Sequence, residues 1–271
     1  MKRNNKQRNI GEDTMKQRVI FAMFALLLAS AQELSASDSL SNEQYFLQAA
    51  ELYQQENYPQ ALTHYMDIVN GGNQGAILFY NIGNCYYKMN DKAQALLWYE
   101  RALRLDPSNE DIKHNISFVN QTLIDKIETM PEFFIAKWWD NLSKSMTSNN
   151  WAIGSIAAAC LFFLFLLLIF ITRRRWIRST SLLFSGIFCA LFILTLLFAR
   201  KEEMRYINNP EAIIMQSVAI AKSTPTPSGS DLFVIHEGLK VSITDKIGDW
   251  YEIKLPNGEK GWLEEESLEE I

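Results

Sequence analysis

The sequence predicts a multidomain membrane protein that combines an α-helical repeat solenoid, a two-helix transmembrane hairpin and a small all-β barrel. Three observations predict this class: a 34-residue internal repeat, two 21-residue runs without a charged side chain, and alternating apolar residues towards the C-terminus. Helical repeats, spanning helices and strands each leave a periodicity of this kind. The 271 residues are enough for two modest domains beside the hairpin.

The first 31 residues predict a signal peptide. Lys16 and Arg18 form a positively charged segment, Val19–Leu28 is an apolar run too short to cross a bilayer, and Ala29–Ala31 offers small residues for cleavage. The basic stretch before Met15 makes that residue an alternative start. An uncleaved anchor helix is the other interpretation of the segment, and under both the chain that follows is exported.

Residues 42–75 and 76–109 repeat one pattern, which the second unit carries more completely. Small residues at Gly83 and Ala95 allow two helices to approach closely, and aromatic residues fill the gaps beside them. The matching positions of the second unit are Phe79, Ile82, Gly83, Tyr86, Ala95, Tyr99, Ala102 and Pro107. These positions resemble the tetratricopeptide repeat, which implies pairs of antiparallel helices stacked into a solenoid.

A third helical element is predicted directly after the repeats. Glu110–Ile127 has apolar residues at helical spacing, and it would cover the open end of the second unit. Ser108 or Asn109 is its expected N-cap, since short polar side chains accept hydrogen bonds from free helix amides. The repeats and this capping helix together define a domain over residues 42–127.

A juxtamembrane segment is predicted over residues 130–150. Phe134 and Trp138 lie four positions apart, with Ile135 and Trp139 beside them. Such an aromatic stripe next to a spanning run is typical of a helix in the headgroup region. Docking of the same helix on the repeat domain is the alternative.

The two uncharged runs, 151–171 and 179–199, predict transmembrane helices. A 21-residue helix is about 31 Å long, and the hydrocarbon core of a bilayer is about 30 Å thick. The loop between them, 172–178, is rich in arginine, which favours the cytoplasmic side. Its topology-determining residues are Arg173, Arg174, Arg175 and Arg178. Both soluble domains are then expected on the opposite side.

Residues 211–271 predict a small all-β domain with five short strands of alternating apolar residues. Residues 222–230 form a polar loop within it, and Pro256–Glu259 supplies a hairpin turn of the Asn-Gly type. The segments that resemble a bacterial SH3 domain are Phe233–Gly238, Gly248–Tyr251 and Gly261–Leu263. The resemblance implies a small barrel.

The order of these parts, over nearly the whole mature chain, is similar to BatE-type members of the Bat aerotolerance family. The resemblance implies a two-pass protein of the bacterial inner membrane with both soluble domains in the periplasm. It implies partners among other Bat proteins, some with von Willebrand factor A domains, and a MoxR-type ATPase. It also implies a link to aerotolerance or envelope stress.

The repeat family implies a concave groove for an extended peptide, lined by the first helix of each unit. The candidate groove residues are Tyr53, Tyr80, Asn84, Tyr87, Lys88, His114 and Phe118. Some tetratricopeptide proteins hold a peptide carboxylate with lysine and asparagine, but only Asn84 matches that clamp here. The alternative is that Tyr80 and Tyr87 merely pack between helices.

Trp250 is the candidate ligand residue of the SH3-like domain. If Tyr251 and Ile253 face the core, alternation points Trp250 outward, where an exposed tryptophan is a common binding anchor. Ala219–Lys222 replaces the tyrosine-rich start of a proline-peptide groove, so that ligand class is disfavoured. Peptidoglycan is the alternative ligand, and a structural role for Trp250 is a third interpretation.

Charge and motif content exclude several function classes. Residues 42–127 carry ten acidic and six basic side chains, and residues 211–271 carry twelve and five, so nucleic acid is not expected as a partner. Cys85, Cys160 and Cys189 do not form a disulfide framework or a metal motif. No catalytic residue, metal or cofactor is predicted. A scaffold is expected, a peptidoglycan tether is the alternative, and a redox role for Cys85 is the weakest hypothesis.

Overall fold

The computed structural model describes residues 42–127, 133–208 and 210–271, and these fall into two compact units divided after Asn73. The predicted signal peptide, residues 1–31, lies outside the described residues, as does the start of the predicted juxtamembrane segment.

The first unit contains helix α1, residues 42–54, and helix α2, Tyr58–Asn70. Ala49 and Ala61 are fully buried, so the small residues of this repeat lie where helices pack closely. Phe46 packs edge-on against the buried Tyr65, with 5.4 Å between ring centroids. Helix α2 is apolar on one face, as the helical spacing of the sequence predicts.

The second unit begins with three helices: α3, Ala76–Lys88; α4, Lys92–Leu105; and α5, Glu110–Gln121. Asp91 caps α4 through its side chain, and Asn109 caps α5 by accepting hydrogen bonds from two backbone amides. Of the two expected N-caps of α5, the structure selects Asn109. The capping helix predicted over 110–127 is shorter, because α5 ends at Gln121 and an irregular segment follows.

The next three helices are α6, Phe134–Ser143; α7, Ser148–Ile171; and α8, Arg175–Asn208. Helices α7 and α8 are long and apolar enough to cross a membrane, and they pack against each other as a hairpin. The predicted loop 172–178 shrinks to residues 172–174, because Arg175 and Arg178 are helical and arginine is a good helix former. Helix α8 is about 51 Å long and extends well beyond its uncharged run.

The C-terminal part forms one antiparallel sheet with the strand order β3-β2-β6-β5-β4-β1-β7. The seven strands found among residues 210–271 replace the five that were predicted. They are β1, Glu211–Ile214; β2, Val218–Lys222; β3, Asp231–His236; β4, Lys240–Ile247; β5, Trp250–Lys254; β6, Lys260–Glu264; and β7, Leu268–Glu270.

The predicted hairpin turn joins β5 to β6. Leu255 and Glu259 close it, since the Leu255 amide donates to the Glu259 carbonyl at 2.9 Å. Gly258 has a φ of +93°, a left-handed conformation that favours glycine, and Asn257 accepts a hydrogen bond from the Glu259 amide. The Asn-Gly pair therefore sets the register of this hairpin.

The sheet packs against the helices of its own unit. Ile213 is buried although it lies outside the apolar core of the sheet, and α4 packs on β1. Asp125, just after α5, accepts a hydrogen bond from the His236 amide at 2.6 Å. Gly238 lies so close to Leu123 that an added Cβ would sit 2.7 Å from a methyl carbon. The second unit is thus continuous from the repeat helices to the sheet.

Candidate functional site

The candidate site is the surface formed by α3 and α5, and its shape depends on how closely α3 meets α4. A Cβ on Gly83 would lie 2.6 Å from ring carbons of Tyr99, so glycine is required at this crossing. Tyr99 is itself buried, and its ring lies 5.7 Å from that of Tyr80. The close crossing brings the polar ends of both tyrosines to the α5 side.

Four polar side chains from three helices meet at that point. The Tyr99 hydroxyl donates to Asn84 Oδ1 at 2.6 Å, and Asn115 Nδ2 donates to the same oxygen at 3.1 Å. Asn115 Nδ2 also lies 3.1 Å from the Tyr80 hydroxyl. We call Tyr80, Asn84, Tyr99 and Asn115 the asparagine–tyrosine network. It ties α3, α4 and α5 together and fixes the orientation of the Asn84 amide.

The remaining candidates of the groove lie around this network. Tyr87 on α3 packs edge-on against Phe118 on α5, with ring centroids 6.0 Å apart. Phe118 is half exposed, and Lys88 and His114 are exposed. Exposed aromatic area beside a cation and an imidazole offers both apolar contact and hydrogen bonding to a peptide. Six of the seven groove candidates are therefore in the second unit.

Tyr53, the seventh candidate, belongs to the first unit. Its ring lies 5.1 Å from that of Tyr58 in an edge-on contact across the turn between α1 and α2. Tyr53 is half buried. The structure gives this residue a packing role inside its own unit.

Trp250 lies on the outer face of the sheet. It is half buried, whereas Tyr251 and Ile253 are buried, so the predicted alternation is present. The face is charged around it: Glu252, next but one along β5, pairs with Lys260 at 2.7 Å. A flat ligand could contact the indole only beside these charges.

An apolar patch on β2 and β3 was missed by the sequence reasoning. Val218, Ile220 and Val234 are each about half exposed, and Ile220 lies opposite Val234 in the strand register. The buried positions of β2 are the small Ala219 and Ala221. In β2 the small alanines face the core and the larger branched residues face outward. Alternation alone does not say which face of a strand is buried, so the alternation of small and large residues was the signal that could have revealed this patch.

Cys85 has the environment of an unreactive thiol. It is fully buried between the helices, and burial raises the pKa of its thiol to about 12. Since the thiolate is the nucleophilic form, such a cysteine is inert at neutral pH. This result argues against a redox role. Within residues 42–127, 133–208 and 210–271, no three His, Cys, Asp or Glu side chains come together as a metal site.

The four topology-determining arginines surround the turn between α7 and α8. Arg173 and Arg174 are in the turn, and Arg175 and Arg178 begin α8; all four are exposed. The structure therefore concentrates them at one end of the apolar hairpin.

Comparison with known families finds a match to the tetratricopeptide repeat over residues 76–109. These are the residues of α3, α4 and the turn that leads into α5. No curated protein matches the chain significantly. The match confirms the second predicted repeat unit, and repeats of this family typically bind proteins and are not catalytic.

Proposed function

We propose that this chain is a membrane-anchored scaffold that binds other envelope proteins through its repeat domain, residues 42–127. The observation that carries the proposal is the tetratricopeptide repeat at 76–109, in which Lys88 is exposed, followed by α5, on which His114 and Phe118 are exposed. A repeat that exposes apolar and polar groups together is suited to an extended peptide. No enzyme family is indicated for the chain.

The anchor in this proposal is the α7–α8 hairpin in a bacterial inner membrane. Spans at 151–171 and 179–199 would place the arginine-rich turn in the cytoplasm and both soluble regions in the periplasm. The predicted signal peptide supports the same orientation. No charged residue interrupts either uncharged run, so transport through the hairpin is not part of the proposal.

The proposed domain identities and biological setting follow from the order of domains along the chain. The sheet over residues 211–271 is proposed to be an SH3-like domain, supported by its antiparallel strands and the Asn-Gly hairpin. A Bat-type complex linked to aerotolerance or envelope stress is the proposed setting, with von Willebrand factor A proteins as partners. This setting rests on the resemblance in domain order.

A peptidoglycan tether is the second candidate function, and Trp250 favours it because a half-exposed indole can stack on a sugar ring. The full-length protein in detergent micelles can be sedimented with purified sacculi, beside a Trp250→Ala variant. Sedimentation that depends on Trp250 supports the tether. A protein that stays in solution excludes it.

The scaffold is tested by mild-detergent purification of the full-length protein and mass spectrometry of captured envelope proteins. The test variant combines Lys88→Ala, His114→Ala and Phe118→Ala, which remove exposed groups and leave the asparagine–tyrosine network intact. We expect it to lose a discrete set of partners.

The control variant combines Lys113→Ala, Ser117→Ala and Asn120→Ala, which are exposed on the other side of α5. It should retain the partners of the native protein. Capture of one and the same set by all three proteins would move the recognition site away from α3 and α5. Equal thermal stability of the variants excludes misfolding as the cause.

A further inference from the structure

Helix α6 exposes a row of large apolar side chains. Phe134 is 71% exposed, Trp138 62% and Ile135 53%, and all three lie within one arc of the helix. Phe133, which precedes the helix, is 67% exposed. A patch of this composition is unfavourable in water and indicates a surface that is covered by something apolar.

The opposite side of α6 is fixed to the end of α8. Ser143 donates to the buried carboxylate of Glu202 at 2.5 Å, and Asp140 pairs with Lys201 at 3.0 Å. Trp139 packs on Phe198 with ring centroids 4.9 Å apart. The exposed row is therefore held in one orientation, facing away from α8.

The height of α6 along the hairpin follows from two further contacts. Trp151, at the start of the first uncharged run, packs on the same Phe198 at 4.9 Å. Its indole nitrogen donates to the Ser143 carbonyl at 2.9 Å. Phe198 is the last residue but one of the second uncharged run. Helix α6 thus lies level with the point where both apolar runs end.

The polar arc of α6 points elsewhere. Asn141 and Lys144 line a cavity of about 410 Å³ that is also lined by Glu211 and Lys240 of the sheet. Lys137 is exposed on the same polar side of the helix. The helix therefore has an apolar arc, a polar arc and a side bonded to α8, as an amphipathic helix at a bilayer boundary requires.

We propose that α6 lies in the lipid–water interface and inserts Phe134, Ile135 and Trp138 among the headgroups and upper acyl chains of a phospholipid bilayer. The exposed row is continuous with the ends of the apolar hairpin, and aromatic rings are favoured at that depth. The inference rests on the proposed insertion of α7 and α8. It adds an interfacial anchor to the two spans.

The test uses full-length protein in nanodiscs of phosphatidylethanolamine and phosphatidylglycerol. Cys160→Ser and Cys189→Ser remove the thiols of the spans, and Cys85 stays because it is buried. In this background, one protein carries Trp138→Cys and a second, the matched control, carries Lys137→Cys. Each is labelled with a small fluorophore at its new cysteine. Quenching is measured with a lipid nitroxide near the headgroup end of the acyl chain and with aqueous iodide.

We expect the lipid nitroxide to remove roughly half of the fluorescence at position 138, which lies at headgroup depth, and iodide to have little effect there. The label at 137 should show the reverse. Iodide quenching at both positions, without lipid quenching, would overturn the inference, and so would binding of a protein that shields 138 from both quenchers.

A third protein that retains only Cys160 of the two span thiols is labelled there and measured with a lipid nitroxide at the end of the acyl chain, because Cys160 lies near the middle of its uncharged run. It separates this inference from the membrane anchor. If the label at Cys160 is quenched by lipid nitroxide and the label at 138 is not, only the interfacial position of α6 is wrong. If neither is quenched, the hairpin is not in the bilayer and both proposals fail.

Discussion

The close packing of α3 against α4 depends on a single residue, Gly83. At Gly83 there is no room for a methyl group, because the ring of the buried Tyr99 occupies the space. The ring cannot move away easily, since its hydroxyl is held by the asparagine–tyrosine network. Glycine at this position is therefore a packing requirement.

We predict that Gly83→Ala destabilises the protein by about 1–3 kcal/mol, the usual cost of inserting a methyl group into a well-packed core. Thermal unfolding of the full-length protein in detergent measures the effect. Gly75→Ala is the control, because its added Cβ would meet Leu78 at 4.0 Å, an ordinary contact. Equal melting temperatures for the two variants would contradict the close crossing.

Asn84 is both a groove candidate and a structural residue. We predict that Asn84→Ala lowers stability by about 1–3 kcal/mol, since it leaves the hydroxyl of the buried Tyr99 and the amide of the half-buried Asn115 without their common acceptor. Lys88→Ala, at an exposed position one turn along α3, should change stability by less than about 0.5 kcal/mol. Urea unfolding followed by fluorescence compares them.

The outcome also has a consequence for binding studies. If Asn84→Ala is as stable as the native protein, the network contributes nothing and the residue is available as a ligand group alone. If it is destabilised, a loss of partners in that variant says nothing about direct contact. Exposed residues such as Lys88 are then the sharper probes of the groove.

At the level of elements, Asp140 supplies one of the contacts that attach α6 to α8, through its ion pair with Lys201. Burial raises the pKa of Asp140, but its hydrogen bonds and charge interactions with Lys144 and Lys201 outweigh this and hold the pKa below its ordinary value of 3.8. A depressed carboxyl pKa stabilises the folded state above the unfolded value. That stabilisation is lost as pH falls through the lower, folded value.

We therefore predict that Asp140→Asn costs about 1 kcal/mol or less at neutral pH, because the site is partly exposed and solvent screens it. Melting temperatures of both proteins across an acid series supply the measurement. Their difference should shrink as the pH falls below 3.8. A difference that stays constant with pH would rule out an ionic origin.

Elements with a strong local period could be predicted from the sequence. The second repeat unit, the apolar hairpin and the alternation around Tyr251 each have a pattern that one physical cause imposes. Strand β7 could not, because Leu268–Glu270 is short and acidic, and only its pairing with β1 makes it a strand. Helix α8 begins earlier than expected because arginine is a good helix former, so a cluster of arginines does not require a loop.

The candidate site was predictable in part for a similar reason. Repeat spacing identified which residues of α3 and α5 share a surface, and Lys88 and Phe118 are exposed there. The network around Asn84 was missed, because Asn115 lies 31 positions away and no local pattern links the two. Hydrogen bonds between helices that are distant in sequence depend on how the helices pack, and sequence periodicity does not report that packing.

The proposed topology places the arginine-rich turn and the C-terminal sheet on opposite sides of the inner membrane. We predict that a cysteine placed at Arg174 in a cysteine-free protein reacts with an impermeant maleimide only after the inner membrane is opened. A cysteine at Glu266, which is exposed in the short turn between β6 and β7, should react from outside in intact spheroplasts. The opposite pattern would reverse the proposed topology.

Lys240 connects the C-terminal sheet to helix α4 of the second repeat. It lies 2.9 Å from Glu100 of α4 and 2.8 Å from Glu211 of β1. Burial lowers the pKa of Lys240, but these carboxylates outweigh it and hold the pKa above the ordinary 10.5. The ammonium therefore remains charged throughout the physiological range.

We predict that Lys240→Met costs about 1–2 kcal/mol, discounted for partial exposure, because it leaves two carboxylates facing each other. Lys254→Met at an exposed strand position is the control. Denaturant unfolding of the full-length proteins measures both. Similar stability of the two variants would show that the cation contributes little to docking.

The docking of the sheet on α4 also limits how this protein can be taken apart. Arg101 reaches Glu269 at 3.0 Å and the Glu270 carbonyl at 2.7 Å, so the last strand is fastened to the second repeat. A fragment cut between helices and sheet would expose apolar surface on both sides of the cut. The repeat is not an interchangeable cassette: to graft it onto another anchor, an engineer would have to transplant the sheet with it.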